Sequence, residues 1–385
     1  MGWAALSELV PLYPLYALLF LDNGLSDAQI SGLFALWSVT SFVAEVPAGA
    51  LADRWSRRGV VVLAGVLQSA AFAVWTAAPG YGAFAAGFVI WGLSGALVSG
   101  ASEALVYDGL AAAGAAGAYA RVNGWMTSAE LLVQVPTAFA ASALFTVGGY
   151  ALVGWVSAGI CLAAAALALR FPEPPRTADE DGEVPLLQGL REALRRPALR
   201  TTVLAVALVG GLDAVEEYFP VLAGDWGVPV ADVPVAVLSI ALAGALGAAL
   251  GGRAGRLPTR WVLVLLAASG LCLAGAALWA RPAALAVTAV FYGLYLAVLV
   301  IAEARLQDRI TGPHRATITS VAGLGIEAAS LLVFAAWALG GAAAVAVLVL
   351  AVVPVVGAGL RQAPADHRTW LRSADGAGPA QRQPG

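Results

Sequence analysis

Nine carboxylates lie within stretches of the chain that are otherwise apolar: Glu8, Glu45, Glu103, Glu130, Asp213, Glu216, Glu217, Glu303 and Glu327. No arginine lies clearly inside any of these stretches, and the chain has no lysine. A charge at the centre of a bilayer costs at least ~2.5–3.5 kcal/mol. Each acid must therefore sit near an interface, carry a proton or face a wet cavity. Acids without bases suit proton exchange and recognition of a cation. Metal and nucleophilic chemistry find no support: Cys161 and Cys272 fall in different apolar stretches, and His314 and His367 lie in polar segments without partners at metal or triad spacing. With no hydrolase, kinase or nucleotide-binding motif either, the chain is not expected to be an enzyme or to hold a cofactor.

Spacing sorts the acids. Asp213, Glu216 and Glu217 stand at i, i+3 and i+4, on one helix face. Glu130 belongs to a polar stripe of Asn123, Thr127, Glu130, Gln134 and Thr137, also on one face. Glu327 has Ser320 seven residues before it and Ser330 three after. Glu130 and Glu327 fall at mid-span on helices of equal rank in two halves of the chain, which makes them the sharpest candidates for proton coupling. Glu45, Glu103 and Glu303 lie within about two turns of one membrane face, and Glu8 lies in the same half of the first span. Tyr13, Tyr16, Trp37, Trp91, Tyr292 and Tyr295 are aromatic candidates for a cavity wall that could stack on a substrate.

The elements that position these groups follow from composition. The 385 residues are 60% hydrophobic and 12% charged, with a mean hydropathy of +0.83. Soluble domains carry about 25% charged residues. Apolar runs of about 20 residues, each long enough to cross ~30 Å of hydrocarbon, fill nearly the whole chain. Twelve spans are expected, at 3–21, 30–52, 59–78, 82–107, 122–144, 147–169, 200–222, 233–252, 261–280, 283–304, 316–338 and 341–360. The break between the fifth and sixth, at Gly148-Gly149, is short. With the N-terminus inside, 20 of the 21 basic residues fall in inner loops or the tail and only Arg281 outside, which predicts an N-in, C-in topology. The first span begins without a basic leader and reads as a retained helix.

Residues 171–199 form the one long polar stretch between spans, and they divide the twelve into two sixes. The domains expected are a six-helix bundle over 1–170, an inner linker over 171–199, a second bundle over 200–360 and a disordered inner tail over 361–385. Leu186, Leu187, Leu190 and Leu194 share a face in the linker and suggest a short helix on the membrane surface. The halves echo each other. "SEALVYDGL" at 102–110 matches "AEARLQDRI" at 302–310, with Glu103 over Glu303 and Asp108 over Asp308. "GALADRWSRR" at 49–58 has a weaker echo in "GGRAGRLPTR" at 251–260, where Gly255 replaces Asp53. Duplicated six-helix halves are a transporter architecture, with the substrate site between them.

"GALADRWSRR" resembles the signature between the second and third helices of the major facilitator superfamily: Gly49, Asp53, Arg54, Arg57 and Arg58 fit it, and Ser56 stands where the pattern has its second glycine. Together with "SEALVYD", it is similar to a bacterial, efflux-like branch of that family, and the resemblance covers residues 1–360. It implies an all-α membrane protein of two pseudo-symmetric six-helix bundles that works by alternating access. It also implies a latch in which Arg54, Arg57 and Arg58 pair with Asp53, Asp108 and Glu103 and hold the halves in an outward-facing state. Span four lacks the arginine found in many proton-coupled antiporters of the family, and Val135-Pro136 stands where they carry Gly-Pro. The expected function is proton-coupled export of a small amphipathic or cationic compound from the inner (plasma) membrane, by a monomer with no nucleic-acid partner. The alternative is an importer or facilitator of a neutral, sugar-like nutrient. Substrate and proton binding are assigned to Glu130, Glu327, Asp213, Glu216, Glu217, Gln134, Trp37, Tyr292 and Tyr295.

Overall fold

The computed structural model describes residues 1–173, 197–255, 257–310 and 315–361, with side chains at all of these positions except 53, 100, 197–198 and 315–317. The expected linker helix around Leu186–Leu194, the tail beyond 361, Arg256, His314 and the side chain of Asp53 lie outside the described residues. Regular structure among them is entirely helical. Eight helices are long and apolar enough to cross a membrane.

Span one is not the single helix expected. Helix α1 (Gly2–Glu8) stops, residues 9–15 turn, and α2 (Tyr16–Asp22) resumes. Pro11 and Pro14 cause the break, because each lacks an N–H and its ring collides with the preceding turn. The buried N–H of Leu12, left without a helical acceptor, donates to Ser157 Oγ at 3.0 Å. Helices α3 (Asp27–Arg54), α4 (Arg57–Ala77) and α5 (Tyr81–Ala112) are continuous. Ser26 caps α3 through a capping box with Gln29. Helix α6 (Tyr119–Ala168) is about twice a membrane span and folds back at Gly148-Gly149, where Gly149 has φ +59° and ψ −159°. Only glycine adopts that conformation readily.

The second half repeats the plan. Its first segment breaks like span one: α7 (Pro197–Gly211), a 3₁₀ turn (Leu212–Tyr218) and α8 (Phe219–Asp225) replace the single helix expected over 200–222. Then come α9 (Val233–Arg253), α10 (Thr259–Trp279), α11 (Ala284–Arg309) and α12 (Arg315–Leu360). Helix α12 turns at Gly340-Gly341, with Gly341 at φ +57°, as α6 turns at Gly148-Gly149. Helices α7 and α12 pack closely enough that a Cβ on Gly211 would stand 2.5 Å from Ala329 Cβ.

Within the first half α4 packs on α5 and α6, α3 on α5, and α1 on α6; within the second, α12 packs on α7, α9 on α11, and α10 on α11 and α12. The halves touch through α3 with α12, α6 with α9, and α2 with α8. The contact is one-sided. Ser31, Phe34 and Ser38 of α3 lie on one face and meet Tyr218, Phe334 and Glu327 of the second half. The same face continues to Phe42, Val46 and Gly49, where Val46 is 80% exposed. The halves are therefore closed at the end that holds Asp27 and Trp337, and apart at the end that holds Arg54 and Arg57.

Candidate functional site

The two broken segments face each other across the join between the halves. Unwinding residues 9–15 frees Tyr13 and Pro14 from a helix lattice, and the 3₁₀ turn redirects the acidic run that follows Gly211. Between them lies a cavity of about 370 Å³. The first half supplies Glu8, Tyr13, Tyr16, Trp91, Gln134 and Thr137; the second supplies Glu216, Glu217, Phe219, Val237 and Tyr292. This volume suits a small organic molecule. Three carboxyls line it and no basic residue does.

The acids are held by tyrosines. A 3₁₀ helix has three residues per turn, so Asp213 and Glu216 eclipse each other. The Tyr292 hydroxyl reaches both, at 3.1 Å from Asp213 Oδ1 and 2.9 Å from Glu216 Oε2. A phenol has one proton to donate and two lone pairs to accept with. Glu217 points the other way and accepts from the Tyr16 hydroxyl, across the join between the halves. Next to it, Tyr218 stacks on Trp337 at 4.0 Å, meets Phe34 edge-on at 5.2 Å and shares a 2.8 Å hydrogen bond with Ser31. Consecutive residues of one turn thus line the cavity (Glu216), tie the halves (Glu217) and seal the closed end (Tyr218). On the opposite wall, Tyr13 stacks on Trp91 at 5.6 Å and accepts from Gln68 Nε2 at 2.7 Å.

The structure brings some of the expected site residues together and separates others. Glu216, Glu217, Gln134 and Tyr292 line the central cavity, with Asp213 behind Glu216. Neither Glu130 nor Glu327 lines the central cavity. Glu130 faces a second cavity inside the first half, while Glu327 accepts from Ser38 Oγ at 2.9 Å where α3 meets α12. Tyr295 is buried and donates to the Val209 carbonyl at 3.0 Å, supporting the end of α7 and not the cavity wall. Trp37 stands behind Trp91, with ring centres 5.5 Å apart.

At the open end, Arg57 pairs with Asp108, both within the first half. Arg54 and Gly49 are exposed, and Glu103 lines the second cavity. Sequence reasoning missed Glu173. Its carboxylate accepts from Ser56 Oγ at 2.7 Å and from the backbone N–H groups of Arg57 and Arg58 at 3.0 and 3.3 Å, and lies 3.8 Å from the Arg58 guanidinium. It caps α4, where the free N–H groups and helix dipole favour an anion. An acid in a proline-rich stretch carries no signal for that contact.

A helical chain with long apolar helices, a duplicated plan and a cavity between the duplicates defines a multi-pass membrane transporter. The major facilitator superfamily family model matches residues 2–333, and the chain belongs to that family. No curated protein matches it in sequence. Among solved structures, a bacterial homologue of the human lysosomal transporter Spinster, in an inward-facing and unoccupied conformation, is similar at 17% identity, with a TM-score of 0.69 over 94% of this chain and 90% of that one. A D-xylose-proton symporter is similar at 15% identity and a TM-score of 0.67, over 92% and 95%. A bacterial homologue of the iron transporter ferroportin, in an inward-facing state, gives 16% and 0.66, over 93% and 94%. At these identities the likeness is one of fold.

Proposed function

We propose that this protein exports a small amphipathic or cationic compound in exchange for protons, by alternating access around the central cavity. The observation that carries this reading is the charge of the cavity wall: Glu8, Glu216 and Glu217 with Tyr13, Tyr16, Trp91 and Tyr292, and no arginine or histidine. Carboxylates attract a cation, aromatic faces hold it, and the same carboxyls take up protons when it leaves. Negatively charged substrates are disfavoured by such a wall.

The reading includes twelve crossings with both termini inside, the two broken segments serving as the first and seventh. The end holding Arg54, Arg57 and Arg58 then faces the cytoplasm, and the contacts across Ser31, Phe34 and Tyr218 close the outer side. In this inward-facing arrangement Arg57 and Asp108 pair within one half, and they are free to meet the other half when that end shuts. The coupling acids are Glu8, Glu216 and Glu217, with Glu130 in a supporting place.

The test is transport in everted membrane vesicles with an imposed proton gradient. Lipophilic cations such as tetraphenylphosphonium should accumulate, and an uncoupler should abolish accumulation. Accumulation of neutral sugars with no response to cations would overturn the reading.

A further inference from the structure

A second cavity, of about 360 Å³, lies wholly within the first half, between α1, α4, α5 and α6. Gly65, Gly95, Ala164 and Ala165 make the room. Gln68, Ser94, Ser99, Ser102, Asn123 and Thr127 give it polar walls around Glu103 and Glu130. It has space for about ten waters, with polar groups on several of its sides. Its boundary with the central cavity is formed by Glu8, Tyr13 and Trp91, which line both. The stacked rings of Tyr13 and Trp91 make a partition, and Gln68 fixes the Tyr13 hydroxyl. Glu8 is thus the one carboxyl among the described residues that lines both spaces. The chamber also reaches the open end of the bundle. Glu103 stands five residues before Asp108, the partner of Arg57, and a further cavity of about 440 Å³ shares Trp3, Ser102 and Met126 with the chamber and extends to Met1 and Phe171.

We propose that this chamber is a water-filled side path that brings protons to and from Glu8 without passing through the central cavity. The inference rests on the proton-coupled reading above. A hydronium in the chamber gives its proton to a Glu8 carboxylate oxygen and leaves as water; the reverse step returns the proton. Once neutral, Glu8 no longer attracts a cation held on its other side. The titratable groups around it are Glu103, Glu130 and Cys161 from the chamber and Tyr16, Glu216, Glu217 and Tyr292 from the central cavity, with Tyr13 on both. A separate path lets proton and substrate compete for one carboxyl from opposite sides, so neither has to displace the other along a single route.

The experiment uses the full chain reconstituted in lipid, with two kinds of variant. Glu8→Gln removes the carboxyl, and Ser102→Phe or Thr127→Leu, on different helices, fills the chamber. In infrared difference spectra between acid and neutral pH, Glu8→Gln should delete one carboxyl band. Either filling variant should keep that band and slow its hydrogen–deuterium exchange several-fold, with tetraphenylphosphonium binding unchanged. Wild-type exchange rates in both filling variants, each shown to be monodisperse by size exclusion, would route the proton through the central cavity and overturn the proposal. So would a spectrum unaltered by Glu8→Gln. If tetraphenylphosphonium fails to bind the wild type while the filling variants still slow exchange, the substrate reading fails and the path stands.

Discussion

Removing one oxygen atom at Tyr218 tests whether the closed end of the cavity is a gate. Tyr218→Phe keeps the ring on Trp337 and against Phe34 and deletes only the 2.8 Å hydrogen bond to Ser31. Ser31 is 3% exposed, so its hydroxyl would be left dry and unpaired while the halves are closed there, and wet when they part. A buried polar group without a partner costs about 1–3 kcal/mol. Ser31 lies in a helix and can turn its hydroxyl to the carbonyl four residues back, which recovers part of the bond. The low end, about 1–1.4 kcal/mol, is therefore the expected penalty, equal to a roughly five- to tenfold shift away from the closed arrangement. A cysteine at Val237, on the central cavity wall, reports the shift in a background free of Cys161 and Cys272. In the parent it should react with a membrane-impermeant thiol reagent from the Arg57 side; in Tyr218→Phe, reaction from the opposite side should rise by that factor. Tyr218→Ala, which also removes the stacked ring, should shift it further. Equal opposite-side labelling in the parent and Tyr218→Phe would show that this contact does not gate access.

Two further outcomes follow from the backbone and from the closed end. Gly149→Ala forces a side chain into a conformation that costs about 1–3 kcal/mol, so its thermal unfolding in detergent should occur at lower temperature, with Gly341→Ala matching it in the second half; unchanged melting of both would disprove strain at the turns. Asp225, a partly exposed residue at the closed end, has its carboxyl pushed above the usual range by partial desolvation and by Asp27 of the other half. Protonation therefore favours closure there, and closure weakens as pH rises through that raised value. Asp225→Asn should flatten the pH dependence of Val237→Cys labelling, by no more than about fivefold, since exposed charge interactions stay below about 1 kcal/mol.

Much of this architecture was legible in the chain, because in a bilayer apolar length alone selects helices. The duplicated plan was legible for the same reason, since an offset survives in one dimension; the acidic run read as one helix face, but the 3₁₀ turn keeps only Asp213 and Glu216 together and sends Glu217 the other way. The interruptions were harder to see. Pro11 and Pro14 were visible, but whether prolines kink or end a helix depends on an acceptor from elsewhere, here Ser157, 145 residues away. Glu130 and Glu327 looked like a pair because they hold equal rank in the two halves. Pseudo-symmetry relates positions, however, and does not bring side chains into one cavity; Ser38 takes Glu327 while Glu130 turns inward. Glu8 was ambiguous in the sequence, since the feature that distinguishes it is the helix break after it.

The glycine pairs at 148–149 and 340–341 also shape the protein's face. At the closed end the connections are short: residues 23–26, 78–80, 226–232 and 280–283, plus two turns made by a glycine pair alone. An antibody, a protease or a partner protein approaching from that side would find almost no polypeptide standing clear of the lipid. Affinity tags and inserted epitopes are best carried at the opposite face.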